Sequence, residues 1–459
     1  SFPTRRSSDL ASGTAKLAGV PVSLTWQEAL QAKAPVRTRY DVTAKLDADQ
    51  RRALGLDMFE DYVVGPVGVT ATYSLGPAKA AQAVATIDLS TSTLSLPWFG
   101  WTKAENVPAT ASVTLALADD KVTGVPKASL TGADIDAQAS IGFGAKGVNK
   151  VTVDHLAIGQ SDVHGSLTIG DDGRWTISAR GKSLDASALL KEIDRRPDQE
   201  EPPPLTIDAQ LDKLILGPGR DVNHVSAKLS SDGQHWTGAS ILLGLGDKAA
   251  ATVNFGGAIG DGQFRLATDD FGELLRVADI YDNVRGGTFG LNGKTEDRNG
   301  KRMLIVDADG ADYRVVGAPA LARLLSIASL SGAGALLSGQ GIPFSRIAGQ
   351  VIFTGDLISL NGLRAYGGAL GINASGNIDR VTGQMSVAGT LVPAYTLNSV
   401  LGNIPVLGDL LLGGAGQGIF AANFRLYGDR DDPKVSVNPL STLAPGVLRN
   451  LFLFSPGGP

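Results

Sequence analysis

The stretch from Phe344 to Pro439 constrains the fold more than any other part of the chain. Ile347, Gly349, Val351 and Phe353 alternate with polar residues, and Ile358 and Leu360 resume the pattern after Gly355-Asp356. Leu370, Ile372, Ala374 and Ile378 follow, then Met385, Val387 and Leu391. Successive side chains of a strand point to opposite sides, so this period of two gathers the apolar residues on one face of a sheet. The opposite face carries Ser, Thr, Asn, Gln and Arg. Such a sheet needs something to cover its apolar face.

The same cadence fills most of the 459 residues. GVTATYSL, ATASVTLAL, VTVDHLAIG, RWTISARG and LTIDAQLDKLIL are all short alternating runs, with a turn signal roughly every ten residues. Gly is frequent at 58 residues and aromatics are sparse at 6%, which suits many tight turns rather than one large globular core. With 43% hydrophobic and 19% charged residues the chain is not disordered. A net charge of -5 with mixed signs gives no footprint for nucleic acid. The chain has no Cys, which removes disulfides and thiolate chemistry. No run of about 18 apolar residues is present to span a membrane as a helix.

Several segments break the cadence. Residues 1–10, SFPTRRSSDL, read as translated sequencing adapter and are set aside, which makes the chain an amino-terminally truncated fragment. Asp47 or Asp49 caps a short helix ending near Leu54, and Asp185 caps another carrying Leu189, Leu190 and Ile193. RRPDQEEPPP, residues 195–204, reads as a linker. The order ending in SLDASALLKEI is similar to that ending in DFGELLRVADIY, which suggests a degenerate repeat of about 80–90 residues. Apolar helical text covers 319–337, 393–412 and 440–454. The expected regions are a β-groove over 11–194, the linker, a second β-groove over 205–318, and a carboxyl-terminal domain over 319–459.

Catalytic and ligand motifs do not hold up. Gly142 to Gly147 matches G-x-G-x-x-G, but strand-like VNKVTVDHL follows where phosphate binding needs a helix, so a hairpin turn is expected. His155, His164, His224 and His235 lack metal-ligand spacing, although His155 and His164 can approach across a hairpin. Asp119-Asp120, Asp171-Asp172, Asp269-Asp270 and Asp431-Asp432 sit at turns or helix starts, where Asp supports the backbone. Trp98, Phe99 and Trp101 form the one aromatic cluster in the sequence, read as packing rather than a sugar platform. No catalytic residue, metal site or cofactor is assigned.

Three segments carry a family resemblance. They are LDADQRRALGLDMFEDYVVGPVGV (46–69), DDFGELLRVADIYDNVRGGTFGLNG (269–293), and LVPAYTLNSVLGNIPVLGDLL (391–411) with VSVNPLSTLAPGVLRNLF (435–452). Together they resemble the AsmA-like family, in particular its large YhdP-type branch. The resemblance implies a periplasmic protein anchored in the inner membrane by an amino-terminal helix that this fragment lacks. It also implies similarity to bridge-like lipid transfer proteins, which move phospholipid between the two membranes. The expected fold is mainly β: a long, curved, antiparallel repeating β-groove, taco-like, with a few short helices and apolar helices near the carboxyl end.

The residues support that reading independently. An uncovered apolar face is unfavourable in water, and acyl chains can cover it. Burying about 15 methylenes gains on the order of 12 kcal/mol at ~0.8 kcal/mol per CH₂. If roughly 25 strands stack at about 4.8 Å, the sheet extends on the order of 120 Å. Groove candidates are Ile347, Val351, Phe353, Leu370, Ile372, Met385, Val387 and Leu391. The apolar helical regions read first as a plug over the open end of the sheet; in the competing reading they contact a membrane, with Leu321, Leu325, Leu401, Leu448 and Phe452 as the candidates. Expected partners are phospholipids, the inner and outer membranes, and an outer-membrane or periplasmic protein. The competing function is a periplasmic scaffold or assembly factor for outer-membrane biogenesis, and a polysaccharide-acting β-solenoid enzyme ranks last.

Overall fold

The computed structural model describes residues 8–30, 36–76, 81–119, 121–194, 202–257, 262–298, 301–327, 337, 339–393 and 421–438. The chain is mainly β, with four short α-helices among the described residues. It divides into two units, Ser1–Trp236 and Thr237–Pro459.

The main sheet of the first unit follows chain order. Its strands are Ser8–Leu17, Val20–Ala29, Thr38–Leu46, Val67–Leu75, Ala81–Asp88, Ala109–Ala118, Lys121–Gly132, Ile135–Gly144, Gly147–Ile158, Ser161–Ile169, Trp175–Asp185, Leu205–Gly217 and Arg220–Ser231. Each pairs with the next. Ser8, Asp9 and Leu10 of the opening segment pair with Ala29, Glu28 and Gln27. Gly142 to Gly147 is a hairpin turn, as expected, with Gly144 opposite Gly147.

One pairing departs from the antiparallel expectation. Trp175–Asp185 and Leu205–Gly217 run parallel, with Trp175 opposite Leu205. Parallel neighbours need a crossover of a dozen or more residues. The helix Ser187–Asp194 and the proline-rich segment after it supply that length, so residues 195–204 join two strands of one sheet. The helix starts where Asp185 Oδ1 accepts from the Ser187 amide at 3.0 Å.

The second unit is antiparallel throughout. Its strands are Trp236–Leu245, Ala249–Gly256, Gln263–Thr268, Thr288–Arg298, Lys301–Val315, Ile342–Thr354, Leu357–Tyr366, Leu370–Asp379, Gln384–Pro393, Ala422–Asp429 and Lys434–Asn438. They pair in that order. In neither unit does the first strand pair with the last among the described residues.

Both units contain the same helical excursion. In the first, Thr38–Leu46 leads into the helix Ala48–Ala53, then a 3-10 turn Asp57–Phe59, then Val63–Val64, before Val67–Leu75 returns antiparallel to its start. In the second, Gln263–Thr268 leads into the helix Phe271–Val277, then Val284–Arg285, before Thr288–Arg298 returns. Asp47 caps the first helix in a capping box with Gln50, and Asp270 caps the second by accepting from the Glu273 amide at 2.9 Å. The repeat by topology therefore links 48–53 with 271–277. The helix Ser187–Asp194, paired with 271–277 on sequence order alone, opens a parallel crossover instead.

The locks on the two excursions differ. In the first, buried Arg51 donates from Nη1 to the Gly65 carbonyl at 2.6 Å and from Nη2 to the Val63 carbonyl at 2.9 Å. In the second, Gly272 lies so close to the returning chain that a Cβ would sit 2.5 Å from the Val284 oxygen. Gly287 there has φ +88° and no room for a Cβ beside Tyr313, so only glycine fits.

Candidate functional site: an apolar row on each sheet

Cross-strand registers align the small alternating runs into rows. In the first unit one row crosses all thirteen main strands as Gly13, Leu24, Val42, Ala71, Ala85, Val113, Ala128, Ala139, Val153, Gly165, Ala179, Ala209 and Ala227. No polar or charged side chain interrupts it. A flanking row holds Val125, Ile141, Val151, Leu167, Ile177, Ile207 and Leu229. The opposite face of the same strands presents Thr43, Thr70, Thr86, Ser112, Ser129 and Gln138 in register. The core of the apolar row, Val42 to Ala227, is half-buried: each side chain is covered by its neighbours in the sheet but not fully by protein.

The second unit repeats the arrangement. Its row runs Ala239, Phe255, Phe264, Gly293, Val306, Val351, Leu360, Gly376, Val387, Leu426 and Val435 across eleven strands. All eight groove candidates lie on this face. Val351 and Val387 are in the row itself. Ile347, Ile372 and Leu391 share a row through Ala365, beyond the row of Leu363, Ala374 and Gly389, and Phe353 and Met385 share the adjacent row on the other side through Ile358 and Ile378. Leu370 lies at the margin opposite Pro393. The opposite face carries Arg265, Asn292, Asp307, Gln350 and Asn361 in register, with Arg265 donating to Asn292 Oδ1 at 3.0 Å.

Among the described residues, protein covers one margin of each apolar face. In the first unit the excursions over 47–66 and 89–108 fold onto the ends of the strands. There Val20, Leu46, Val67, Leu89, Leu94 and Ala109 form a buried cluster, with Leu54, Val63 and Trp101 packed on it. Pro97–Phe99 touches the helix Ser187–Asp194, and a Cβ on Gly100 would lie 3.2 Å from that of Ala188. The Trp98-Phe99-Trp101 segment is thus cap packing.

Lys103 is buried in this cap, with Nζ donating to the carbonyls of Ser92, Ala104 and Val107 at 2.7, 3.0 and 2.8 Å. Burial pushes its ammonium pKa down, partly offset by Asp88 and Glu105. Lys103→Met leaves three carbonyls without their donor. It is expected to lower the stability of the first unit by about 2–3 kcal/mol in urea unfolding, with unchanged m-value.

In the second unit the cover is the helix Pro319–Ile327. Leu324 and Leu325 are buried against Leu337, Ile342, Phe344, Leu370, Leu391 and Phe424. Arg323 Nη1 reaches Asp432 Oδ1 at 2.8 Å, tying the helix to the turn before Lys434–Asn438. Leu325, a membrane-contact candidate, is therefore fully covered by protein, and Leu321 packs partly on the same cluster. Leu401, Leu448 and Phe452 lie outside the described residues. Leu370, Leu391 and Val387 are also covered, whereas Val351, Phe353 and Met385 stay half-buried.

An aromatic stack that the sequence did not reveal sits under this cover. It corrects the reading of Trp98, Phe99 and Trp101 as the one aromatic cluster. Phe289 stacks on Phe271 at 4.2 Å, Phe271 meets Tyr313 edge-on at 5.6 Å, and Tyr313 stacks on Phe344 at 5.3 Å. Four separate elements supply the rings, so nothing in local spacing announces them. Burial pushes the Tyr313 phenol well above its usual range. The folded state thus holds its proton after the unfolded chain has released one near pH 10, and stability falls as pH rises past that point. The thermal midpoint should drop as pH rises above about 10, and Tyr313→Phe should flatten that part of the decline.

The other titratable pairs sit where turns and caps place them. Asp171-Asp172 lies in the turn to Arg174, whose amide donates to Asp172 Oδ1 at 3.0 Å. His155 faces Asp136 at 3.9 Å on the surface. Among the described residues no group of His, Asp and Glu is arranged to hold a metal, and no helix is long and apolar enough to cross a membrane. No family model matches the chain, and no curated protein matches it.

Proposed function

We propose that the chain is a non-enzymatic conduit for phospholipid. Acyl chains lie on the apolar rows and head groups stay in water. The observation that carries this reading is the first unit's row, which crosses thirteen strands without a polar side chain and stays half-open along its length. A lipid moving across the strands meets the same apolar surface at each step of ~4.8 Å, so no step requires it to return to water. No chemical step is needed. The second unit offers a similar row that is less open, with Val306 and Val387 buried and its last strands closed by the helix Pro319–Ile327.

The membranes served follow from the resemblance of residues 46–69, 269–293 and the closing segments. They are the inner and outer membranes of a Gram-negative envelope, with the protein in the periplasm on an inner-membrane anchor. Native mass spectrometry of the 459-residue chain purified from a Gram-negative host tests the reading. Several phospholipids per chain are expected. A lipid-free, monodisperse chain would sink the conduit and put the scaffold for outer-membrane biogenesis in its place.

A further inference from the structure

The two helical excursions share one feature that their packing does not require. Beyond the first helix the chain reads Asp57-Met58-Phe59-Glu60-Asp61; beyond the second it reads Asp279-Ile280-Tyr281-Asp282. Met58 is 68% exposed and Phe59 47%, and Ile280 is 67% exposed and Tyr281 40%. These tips are ordered turns. Phe59 donates its amide to Leu56 O at 3.3 Å, and Ile280 donates to Leu275 O at 2.9 Å. The locks beneath them differ, Arg51 in one and Gly272 in the other, yet both place a large apolar pair beside carboxylates; in the first tip Glu60 is paired with Arg52 at 2.9 Å, which leaves Asp57 and Asp61 as its exposed acidic groups. Folding alone would favour burying or replacing such a pair.

A surface of opposite character lies at the other margin of the first unit. The hairpin tip from Phe143 to Lys150 exposes Phe143 and its cross-strand partner Val148, with Lys146 and Lys150 beside them. From Ala137 to Val153 the chain has two lysines and no carboxylate. Lys146 donates to the Asp171 backbone carbonyl at 3.0 Å, and the neighbouring Asp172 carboxylate caps its own turn. Among the described residues no carboxylate lies within ion-pair distance of Lys146 or Lys150. The apolar rows fix the separation of the two tips. Tyr40, Val42 and Ala44 lead towards the acidic tip, whereas the residues in the matching rows taken from Ala137 through Ala139 to Ile141 lead away from it to Phe143. The tips stand at opposite margins, so they cannot meet within one chain.

We infer that the acidic apolar tip at Met58-Phe59 docks on the basic apolar hairpin tip at Phe143-Lys150 of a second copy of this chain. The contact is head to tail, so it does not close and adds copies side by side. Charge steers the pair and the apolar residues hold it. The contact is small, so association is weak and salt-sensitive.

Sedimentation velocity of the full chain at rising concentration reads the association. The weight-average coefficient should rise with concentration at low salt and return to the monomer value at about 0.5 M NaCl. Asp57→Lys with Asp61→Lys should weaken association at least about tenfold, as should Lys146→Glu with Lys150→Glu. Mixing those two double variants should restore it, because the swapped tip of one meets the swapped hairpin of the other and their unswapped tip and hairpin meet as in the wild type. Phe59→Ser should weaken it without altering charge. A single monomer coefficient up to about 100 µM in low salt would overturn the inference, as would association indifferent to both charge reversals. Flotation of a monomeric wild type with phosphatidylglycerol vesicles, lost in Met58→Ser with Phe59→Ser, would instead make the tip a membrane contact. Lipid content of the same samples is read separately, so failure here leaves the conduit reading untouched.

Discussion

On the proposed conduit reading, Val153→Glu is expected to remove most of the phospholipid carried by the middle of the first unit. Val153 sits in the unbroken row between Ala139 and Gly165 and is half-buried. A carboxylate there would face the acyl chains of the proposed conduit on the side that the sheet leaves open. Placing a charge in such surroundings costs about 3 kcal/mol, which corresponds to roughly a 100-fold fall in local occupancy. Val153→Leu keeps the surface apolar and should retain the lipid. The protein should still fold, because the side chain projects from the open face rather than into a packed core. The measurement is phospholipid per chain by native mass spectrometry beside circular dichroism. Equal lipid content in the Glu and Leu variants, both folded, would remove the row from any role in lipid binding. Val351→Glu applies the same test to the second unit.

Leu325→Asp should be the most destabilising single change in the second unit. Leu325 is 0% exposed and packs with Leu324, Ile342, Phe344 and Leu370. Removing its side chain alone costs about 2–5 kcal/mol through lost burial and the cavity left behind. An unpaired carboxylate in that cavity adds desolvation, so the total exceeds about 4 kcal/mol unless the helix lifts away. Hydrogen exchange distinguishes the two responses. If the helix lifts, protection is lost over Pro319–Ile327 while Ile342–Thr354 and Leu370–Asp379 keep theirs. If the unit unfolds, all three lose it together. Unchanged melting and exchange would mean that the helix does not hold this margin. Leu325→Met, close in volume, should cost less than about 1.5 kcal/mol.

Much of this architecture was legible from local pattern. Period-two alternation placed all eight groove candidates on one face, because a strand leaves a side chain only two directions. Asp47, Asp185 and Asp270 marked helix starts, since a short carboxylate satisfies the exposed amides of a first turn. The Gly142 to Gly147 motif was readable as a hairpin from the strand text after it.

Longer-range features were not legible. The parallel pairing of Trp175–Asp185 with Leu205–Gly217 depends on where a proline-rich crossover delivers the chain, and local text does not encode direction. The equivalence of 48–53 with 271–277 emerged from pairing, because the helices share a cap and a path but little sequence.

By itself, then, the sequence determined that this chain is mainly β with one apolar face, because alternation is a property of neighbouring residues. Tertiary structure alone decided which residues line up across strands, and hence that thirteen scattered apolar residues make one unbroken row. It also decided which margin is capped, and that Leu325 is buried rather than offered to a membrane. Register and capping arise from contacts between residues tens to hundreds of positions apart. Those contacts are settled by backbone pairing and packing, for which single-residue spacing carries no signal.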